Sequence, residues 1–427
     1  MTQKFVKIES CRICGNKNLK SLLHLGNQAL TGVFPKSKTE EITTGPLELL
    51  RCHENNNDSA CGLVQLAHTY LKNEMYGENY GYRSGLNKFM IDHLFGKAEK
   101  IKQMVNLKKG DVVLDIGSND GTFLRAFPKN LVLIGIDPTG LKFKEYYSEH
   151  VKMLPHFFSA STFKKHFPGK KAKVIASLAM FYDLDAPLEF VKDIAEILAD
   201  DGIWVLEQSY LPAMLEANSY DTICHEHLEY YCLKQIKWMA DRAGLKIVDV
   251  EFNDVNGGSF SIVVAKQNSP FLENLVLVNK ILKKEKDKGM HTDKPIRDFE
   301  TRLVKSREKL LHFLNDAKAK GKKVMGYGAS TKGNVLLQFC NITEMLIPYI
   351  GEVNKHKFGC YTPNTLIPII PEDEVKKMKP DYLLVLPWHL RENIVQKERT
   401  YFKKGGTLVF PLPKLELVNI KSIKKKK

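Results

Sequence analysis

The sequence VVLDIGSNDGTFLRAF, residues 112–127, joins a short apolar strand to a glycine-containing turn and a helical run. A second apolar strand follows in LVLIGIDPTG, residues 131–140, and ends at Asp137. Strand, turn, helix and strand in this order are typical of a nucleotide-binding βαβ unit. They predict an α/β protein with a Rossmann-like domain in the middle of the chain.

The turn of this unit has the pattern D-x-G-x-N-x-G, which differs from the G-x-G-x-x-G of dinucleotide-binding proteins. S-adenosylmethionine suits it better, because this cofactor has no pyrophosphate to cradle and carries a cationic sulfonium that an acidic site tolerates. Asp137 is placed to bind ribose hydroxyls. The predicted cofactor-binding residues are Asp115, Gly117, Asn119, Asp120, Gly121 and Asp137.

Strands and helices alternate from here to residue 266, where the last two strands predict an antiparallel hairpin closing a mostly parallel sheet. Between them lies the densest group of reactive side chains, SYDTICHEHLEYY at residues 219–231. His225 and His227 could bind a metal, but nothing nearby completes a ligand set. General acid–base chemistry by a histidine beside Glu226 is the better use. An ordinary polar turn is the alternative.

The third part of the chain begins with apolar residues at helical spacing, which predict a packed helical linker: Ile296, Phe299, Leu303, Leu310 and Leu314. The segment KKVMGYGASTKGNVLLQFC, residues 322–340, is a second strand, glycine turn and helix. Backbone amides and Lys332 at this helix N-terminus can hold phosphate. DYLLVLPW and GGTLVFPLP add strands, so a separate small α/β domain is expected. Tyr361, Trp388 and His389 occupy loops, where each could face a ligand or simply pack.

Four of the eight cysteines lie in the first 61 residues: Cys11, Cys14, Cys52 and Cys61. Two thiolate pairs on neighbouring turns predict a closed, structural zinc site. His53 could replace one sulfur, and four unliganded core cysteines are the alternative.

Composition and charge limit the class of protein. The 427 residues are 43% hydrophobic and 26% charged, which predicts globular domains rather than disorder. No apolar run approaches the roughly 20 residues of a membrane span, and the start lacks a signal peptide, so we expect a cytoplasmic protein without membrane contact. The net charge of +15 divides into +6 for residues 1–110, −7 for residues 111–265 and +16 for residues 266–427. Much of the excess lies in residues 280–323 and the tail KSIKKKK, as on a solvated helical face.

The motifs CRICG, LGNQALTGVF, YGYRSG, DIGSNDGTFL, CHEHLEYY, GYGASTKGN and YTPNTLIPI follow one another along the chain. In this succession the chain resembles the nucleotide-sugar C-methyltransferase family. The resemblance implies a zinc-binding domain over residues 1–75, an S-adenosylmethionine domain over 76–268, a C-terminal Rossmann-like domain with a helical lead-in over 269–415, and a basic tail over 416–427.

The resemblance further implies methyl transfer to carbon 3 of a nucleotide-linked 4-keto-deoxy sugar held between the middle and C-terminal domains. Glu226 and His227 are then catalytic, with Tyr80 or Tyr82 nearby and His225 in the same cluster. The substrate-binding residues expected at the second glycine turn and beyond it are Gly328, Ser330, Lys332, Asn334 and Tyr361. Family members often carry tyrosine where this chain has Cys224, and His-Gly-Gly where it has Asn256-Gly-Gly.

The chemistry itself requires a base, because a ketone at carbon 4 acidifies the proton on carbon 3 and its removal forms an enolate. We assign the base to His227, oriented by Glu226, with a tyrosine hydroxyl stabilising the enolate oxygen. The expected partner is a nucleotide sugar, without nucleic acid, and a monomer is expected. The alternative is a zinc-containing RNA-modifying methyltransferase, against which the acidic middle segment argues.

Overall fold

The structure is a computed structural model that describes residues 4–53, 60–76 and 82–424. Its strands form three main sheets, of four, seven and six strands, and one two-stranded ribbon. Strands alternate with helices in the two larger sheets, which confirms the predicted α/β class with two Rossmann-like units. Within the described ranges, no helix combines the length and apolar character needed to cross a membrane.

The N-terminal region is built from strands, with one short helix at its end. Its elements are β1 Phe5–Lys7, β2 Leu19–Ala29, β3 Thr44–Cys52, β4 Val64–Leu66, β5 His68–Tyr70 and α1 Lys72–Met75. Strands β2, β3 and β4 pair antiparallel in that order, and β1 pairs antiparallel with β5. Alternate residues of β2 and β3 are buried, so one face of this sheet packs inside the molecule.

The middle region contains residues 112–127, where the strand and the glycine turn form as predicted. The helix predicted after the turn is wrong, because only a short 3₁₀ turn, Leu124–Ala126, lies between the two strands. Its elements are α2 Lys88–Met104, β6 Val112–Ile116, β7 Val132–Ile136, β8 Val151–Leu154, α3 Ala160–His166, β9 Ala172–Leu178, α4 Pro187–Ile197, β10 Leu198–Ser209, α5 Leu211–Glu216, β11 Glu229–Tyr230, α6 Leu233–Arg242, β12 Leu245–Asn253 and β13 Ser259–Lys266. The sheet order is β12-β13-β10-β9-β6-β7-β8. Only β13 runs antiparallel to its neighbours, which confirms the predicted hairpin. All five residues of β6 are buried, as expected of a central parallel strand covered on both faces.

Strand β11 belongs to a different sheet from the rest of the middle region. Glu229 pairs with Gln65 and Tyr230 with Val64, so β11 is the edge strand beside β4 of the N-terminal sheet. Residues 225–227, His-Glu-His, which we call the HEH segment, lie just before β11. Their position therefore depends on both regions.

The C-terminal region begins with two helices and continues as a six-stranded sheet. Its elements are α7 Leu275–Asp287, α8 Lys294–Ala319, β14 Val324–Tyr327, α9 Thr331–Phe339, β15 Ile350–Glu352, β16 Ile369–Pro371, α10 Glu372–Lys377, β17 Tyr382–Val385, α11 Arg391–Lys397, α12 Arg399–Lys403, β18 Thr407–Phe410, β19 Glu416–Val418 and α13 Ile420–Lys424. The sheet order is β16-β15-β14-β17-β18-β19, with only β19 antiparallel.

Helix α8 is the packed linker expected from its apolar spacing. All five predicted apolar positions of α8 are buried in the core that α8 shares with the C-terminal sheet. Its lysines face solvent and pair with acids one helical turn away, as Lys294 does with Asp298 and Lys320 with Asp316. The basic charge of this segment is therefore spread along an exposed helical face. Three residues of the lysine-rich tail, 425–427, lie outside the described residues.

Candidate active site and metal centre

The four N-terminal cysteines converge on one point. Their sulfurs lie within 4.8 Å of one another, with Cys11 Sγ 3.5 Å from Cys61 Sγ and Cys14 Sγ 3.4 Å from Cys52 Sγ. Tetrahedral zinc with Zn–S bonds of about 2.3 Å places its sulfurs about 3.8 Å apart. The four thiols therefore fit a structural zinc ion. Asn16 Nδ2 donates to Cys52 Sγ at 3.3 Å and supports the site from outside the cluster.

His53 is not part of this cluster, so the alternative in which it replaces a sulfur is wrong. Its Nε2 lies 3.2 Å from Asp293 Oδ1, at the start of α8. Arg51 Nε lies 3.0 Å from the same carboxylate. His53 thus joins the N-terminal sheet to the C-terminal helices.

The cysteine cluster is also attached to the middle region. Gln235 Nε2 on α6 donates to the carbonyl of Cys61 at 2.8 Å. Arg12, between two of the cysteines, donates from Nη1 to the carbonyl of Leu66 at 2.6 Å and lies 3.8 Å from Glu229. Leu66 belongs to β4 and Glu229 to β11. The zinc site therefore supports the strand pair from which the HEH segment begins.

The predicted cofactor turn follows β6. Gly117 has φ +74°, and a Cβ there would come within 2.9 Å of Met180 Cγ, so only glycine fits. Asn119 N–H donates to Asp137 Oδ2 at 2.8 Å. Thr139 donates to Asp137 Oδ1 from its N–H at 2.7 Å and from its hydroxyl at 2.6 Å. These bonds hold the Asp137 carboxylate beside the turn, where a ribose hydroxyl would meet it.

Three carboxylates surround this turn. Burial, followed by the charges of Asp137 and Asp120, raises the pKa of Asp115 well above its usual value. Arg83 Nε lies 3.8 Å from Asp120, and it is the one cation in an ion pair with these three groups in the described chain. S-adenosylmethionine carries a sulfonium and an ammonium group. The excess of negative charge at the turn therefore fits this cofactor.

The described part of the YGYRSG motif, which begins at Tyr82 and which we call the tyrosine segment, contacts the cofactor turn. Ser84 N–H donates to Asn119 Oδ1 at 2.9 Å, and Asn119 Nδ2 donates to the carbonyl of Tyr82 at 3.3 Å. The Tyr82 side chain is 46% exposed. Tyr80 lies outside the described residues. These contacts join the segment to the cofactor turn, at the carboxyl end of β6.

His227 is held in one tautomer. Its Nδ1 lies 2.7 Å from the carbonyl oxygen of Thr222, which can only accept, so Nδ1 carries the proton and Nε2 keeps its lone pair. The Tyr182 ring packs against the imidazole at 4.2 Å between centroids. Burial, and then the charge of Lys332, lower the pKa of His227 to about 3. The imidazole is therefore neutral at neutral pH and able to accept a proton.

Glu226 does not orient His227, and that prediction is wrong. Its Oε2 accepts a hydrogen bond from the Thr31 hydroxyl at 3.2 Å, and a Cβ on Gly32 would lie 2.6 Å from its Oε1. Burial raises the pKa of this carboxyl. Asn334 Nδ2 donates to the carbonyl of Thr31 at 2.7 Å. Thr31, from the LTGVF motif, is thus the residue at which all three regions meet.

The His225 side chain contacts Tyr70 of the N-terminal region, whereas His227 contacts Thr222. It is fully buried, and its ring meets the Tyr70 ring edge-on at 4.5 Å. Burial lowers its pKa to about 3. Cys224 is buried as well. Nothing in the surroundings of His225 supports a catalytic role.

The second glycine turn repeats the geometry of the first. Gly328 follows β14 with φ +78°, and a Cβ there would lie 2.8 Å from Pro387. Ala329 N–H donates to Glu352 Oε2 at 2.7 Å, at the end of the neighbouring parallel strand β15. Ser330 caps α9, since its Oγ accepts the Gly333 N–H at 3.0 Å.

Lys332 points from α9 toward the middle region. Its Nζ donates to the carbonyl of Asn256 at 2.5 Å and to the Thr222 hydroxyl at 3.3 Å. The structure thus brings Lys332 to the residue that orients His227. Tyr361 and Asn334 instead contact the N-terminal segment: Tyr361 N–H donates to the carbonyl of Pro35 at 2.8 Å.

Sequence reasoning missed a hydrogen bond between the middle and C-terminal regions. Trp388 Nε1 donates to Asp221 Oδ2 at 2.7 Å, and both side chains are buried. Asp221 directly precedes Thr222. Trp388 stood out as an aromatic residue in a loop, but no spacing in the chain joins it to a residue 167 positions away.

Three family models match the chain, one in each of its three regions. Family models match residues 11–76 as a zinc binding domain, 89–250 as a methyltransferase domain and 254–413 as a C-methyltransferase C-terminal domain. The C-methyltransferase NovU of Streptomyces niveus is 27% identical over 419 residues, covering 97% of this chain and 98% of NovU. The three matches together run from residue 11 to residue 413, and they identify the chain as a methyltransferase.

Solved structures resemble part of this methyltransferase. The plantazolicin methyltransferase BpumL, in complex with SAH, is 12% identical and covers 40% of this chain and 82% of its own, with a TM-score of 0.33. The YcgJ protein of Bacillus subtilis is 16% identical and covers 40% and 97%, with a TM-score of 0.32. The matched family models, the similarity to NovU and the four-cysteine cluster support S-adenosylmethionine-dependent C-methylation and a zinc-binding N-terminal region.

Proposed function

We propose that this enzyme methylates carbon 3 of a nucleotide-linked 4-keto-deoxy sugar, and that His227 removes the proton from that carbon. The observation that carries the proposal is the bond between His227 Nδ1 and the carbonyl of Thr222, which leaves Nε2 as a base. Methylation of carbon, rather than oxygen or nitrogen, needs such a base because a sugar carbon is not nucleophilic.

The proposed reaction begins with proton transfer from carbon 3 to His227 Nε2, which leaves an enolate delocalised onto the oxygen at carbon 4. Bound S-adenosylmethionine supplies an electrophilic methyl group on sulfonium, which the enolate carbon can attack. Tyr82 or Tyr80 is proposed to donate a hydrogen bond to the enolate oxygen. Glu226 is proposed to lie beside the sugar as a second polar group, held by Thr31.

The nucleotide is proposed to bind at the second glycine turn. Gly328 and Ser330 shape the start of α9, and Lys332 carries a positive charge there. The first amides of a helix have no partners inside it and can donate to phosphate oxygens. Asn334 and Tyr361 complete the proposed substrate set. We propose that the sugar end of the substrate faces His227, because Lys332 and His227 share Thr222 as a partner.

The domain division 1–75, 76–268, 269–415 and 416–427 is part of the proposal. Each of the first three ranges contains most of one main sheet. Strand β11 crosses from the second range into the sheet of the first, and β19, at the start of the fourth range, is the edge strand of the third range's sheet. A monomer in the cytoplasm is proposed as the working form.

Proton exchange tests the mechanism without methyl transfer. The enzyme, supplied with a nucleotide-linked 4-keto-6-deoxy sugar and S-adenosylhomocysteine, should exchange the proton on carbon 3 with deuterated water, as followed by NMR. His227→Asn should slow both exchange and methylation by about 10²–10⁴-fold, because a general base is lost. Cofactor affinity should stay unchanged.

His225→Asn is the matched control, because His225 packs against Tyr70 and has no contact with Thr222 in the described structure. It should keep the rate of exchange in whatever fraction of the protein folds. If this variant loses exchange while His227→Asn retains it, the base is misassigned. If both variants methylate at the wild-type rate, the HEH segment is structural and the proposed mechanism fails.

A further inference from the structure

Lys332 is a partly buried cation at the interface between the middle and C-terminal regions, and it forms no ion pair within the described part of the chain. Its ammonium group donates only to the carbonyl of Asn256 and the hydroxyl of Thr222. No carboxylate lies within 4.0 Å of Nζ in the described part of the chain; the nearby Asp221 already binds Trp388. Burial lowers the pKa of Lys332. The charge of Asp221 offsets only part of the cost of burying Lys332, whose hydrogen-bond partners are neutral, and a further anion beside it would relieve the rest.

Lys332 acts on two histidines at the same interface. Its charge adds to burial in lowering the pKa of His227 and of His389, each to about 3. His225 also has a pKa of about 3, but burial alone lowers it, with no contribution from Lys332. The charge of Lys332 therefore lowers the pKa of His227 and His389 but not that of His225.

We propose that Lys332 is a positioning residue that couples binding of the substrate's diphosphate to the basicity of His227. The inference rests on the proposed function, in that the diphosphate is the one expected at the second glycine turn. The geometric link is short: Lys332 Nζ bonds the hydroxyl of Thr222, and the carbonyl of the same residue accepts the His227 Nδ1 proton.

The coupling follows from charge. Without substrate, the ammonium group of Lys332 opposes protonation of the imidazole, so His227 is a weak base. A diphosphate at the start of α9 brings negative charge next to Lys332 and offsets that opposition. His227 then becomes a stronger base only when the substrate is in place. The benefit is that the base does not act, or become protonated, in the empty enzyme.

Other groups near His227 do not replace Lys332 in this role. Tyr182 faces the imidazole from the turn after β9 and is neutral at neutral pH. Asp221 accepts hydrogen bonds from Trp388 and Ser219. Glu226, on the same segment, points to Thr31. Burial, and then the charge of Lys332, lower the pKa of His389 to about 3, so this imidazole is neutral as well.

The test follows the titration of single histidines by NMR in full-length, zinc-loaded enzyme labelled with ¹⁵N-histidine, with peaks assigned from His227→Asn, His389→Asn and His225→Asn. Lys332→Met removes the charge at similar chain length, and Lys332→Arg keeps it. We expect the pKa of His227 and His389 to rise by about one unit or more in Lys332→Met. Both should stay low in Lys332→Arg, and His225 should not move in either variant.

Inorganic pyrophosphate and dTDP are the probes for the coupling itself. Either should raise the pKa of His227 in the wild-type enzyme, and by less in Lys332→Met. Unchanged titration of His227 in Lys332→Met, or a bound probe that leaves it unchanged, overturns the inference. Absence of binding by calorimetry for both probes, with His227 still shifted in free Lys332→Met, instead contradicts the nucleotide site of the proposed function.

Discussion

Asp137 and Glu352 are equivalent residues in the two Rossmann-like units. Each ends a parallel strand next to the first strand of its unit, and each accepts the backbone N–H of a residue in the adjacent glycine turn, Asn119 at 2.8 Å and Ala329 at 2.7 Å. The sequence pattern singled out Asp137 because an acid after the second strand is typical of ribose binding. Glu352 escaped notice because β15 has only three residues and little periodicity.

Because the two carboxylates are equivalent, substituting each in turn tests which of them binds the cofactor. Asp137→Ala should weaken S-adenosylmethionine binding by one or two charge-assisted hydrogen bonds, about 1.5–3 kcal/mol each. Glu352→Ala removes the matching carboxylate from the other unit and should leave cofactor affinity unchanged. Isothermal titration calorimetry measures both. Equal affinities for wild type and Asp137→Ala would place the ribose on a different carboxylate.

The wrong prediction for Glu226 shows the limit of reasoning from neighbours in the chain. Adjacent residues 226 and 227 were expected to cooperate, but in the turn their side chains diverge. Glu226 reaches Thr31 and His227 reaches Thr222. Thr31 lies 195 positions before Glu226, and although Thr222 belongs to the same segment as His227, no sequence pattern marks its carbonyl as the partner.

At the scale of elements, the two-residue strand β11 connects the four-cysteine cluster to the segment that contains His227. It pairs with β4, and Arg12 of the cysteine cluster bonds β4 at Leu66. A pattern of four cysteines predicted the metal site because ligand spacing is local. It could not predict that a strand from residue 229 completes the same sheet.

We therefore expect loss of zinc to affect catalysis as well as folding. Cys61→Ser should lose the metal, which wild-type protein should carry at about one ion per chain. Its melting temperature should fall by about 5 °C or more, and methyl transfer should fall with it, because the support of β4 and β11 is lost. Metal content by mass spectrometry and thermal unfolding measure the two effects.

Cys360→Ser is the control, because Cys360 is a buried cysteine of the C-terminal region outside the cluster. It should retain zinc. Metal-free protein with normal melting and turnover would return the four cysteines to an unliganded core.

At the scale of the whole molecule, the C-terminal region contributes directly to the site through Trp388 and Lys332. Trp388 binds Asp221, Lys332 binds Thr222, and these two adjacent residues hold the carbonyl that orients His227. The same region also carries exposed lysines on α7 and α8, of which Lys283 pairs with Asp287 and Lys294 with Asp298, away from the residues that hold His227.

Trp388→Phe tests this contribution. Asp221 Oδ2 would lose its donor, at a cost of about 1.5–3 kcal/mol for a hydrogen bond to a charged group. We expect kcat to fall about tenfold, because the turn that orients His227 loosens, and S-adenosylmethionine affinity to remain unchanged. Steady-state kinetics and calorimetry measure the two quantities.

Trp238→Phe is the comparison, since that tryptophan stacks on Arg242 of the same helix, at 3.6 Å, and has no part in the interface. It should retain full activity. If both variants behave as wild type, the Trp388 hydrogen bond does not position the base.

The sequence by itself determined the strands and glycine turns of both Rossmann-like units, the antiparallel hairpin, the packed helix α8 and the cysteine ligands. Each of these depends on apolar periodicity, glycine turns or ligand spacing within a short stretch of chain. The tertiary structure alone decided which groups of the C-terminal region reach the turn that holds His227. Thr222 and Lys332 are 110 residues apart, and Asp221 and Trp388 are 167 apart. Such pairs meet only when separately folded regions pack together, because side-chain hydrogen bonds act over about 3 Å and local patterns carry no information about distant partners.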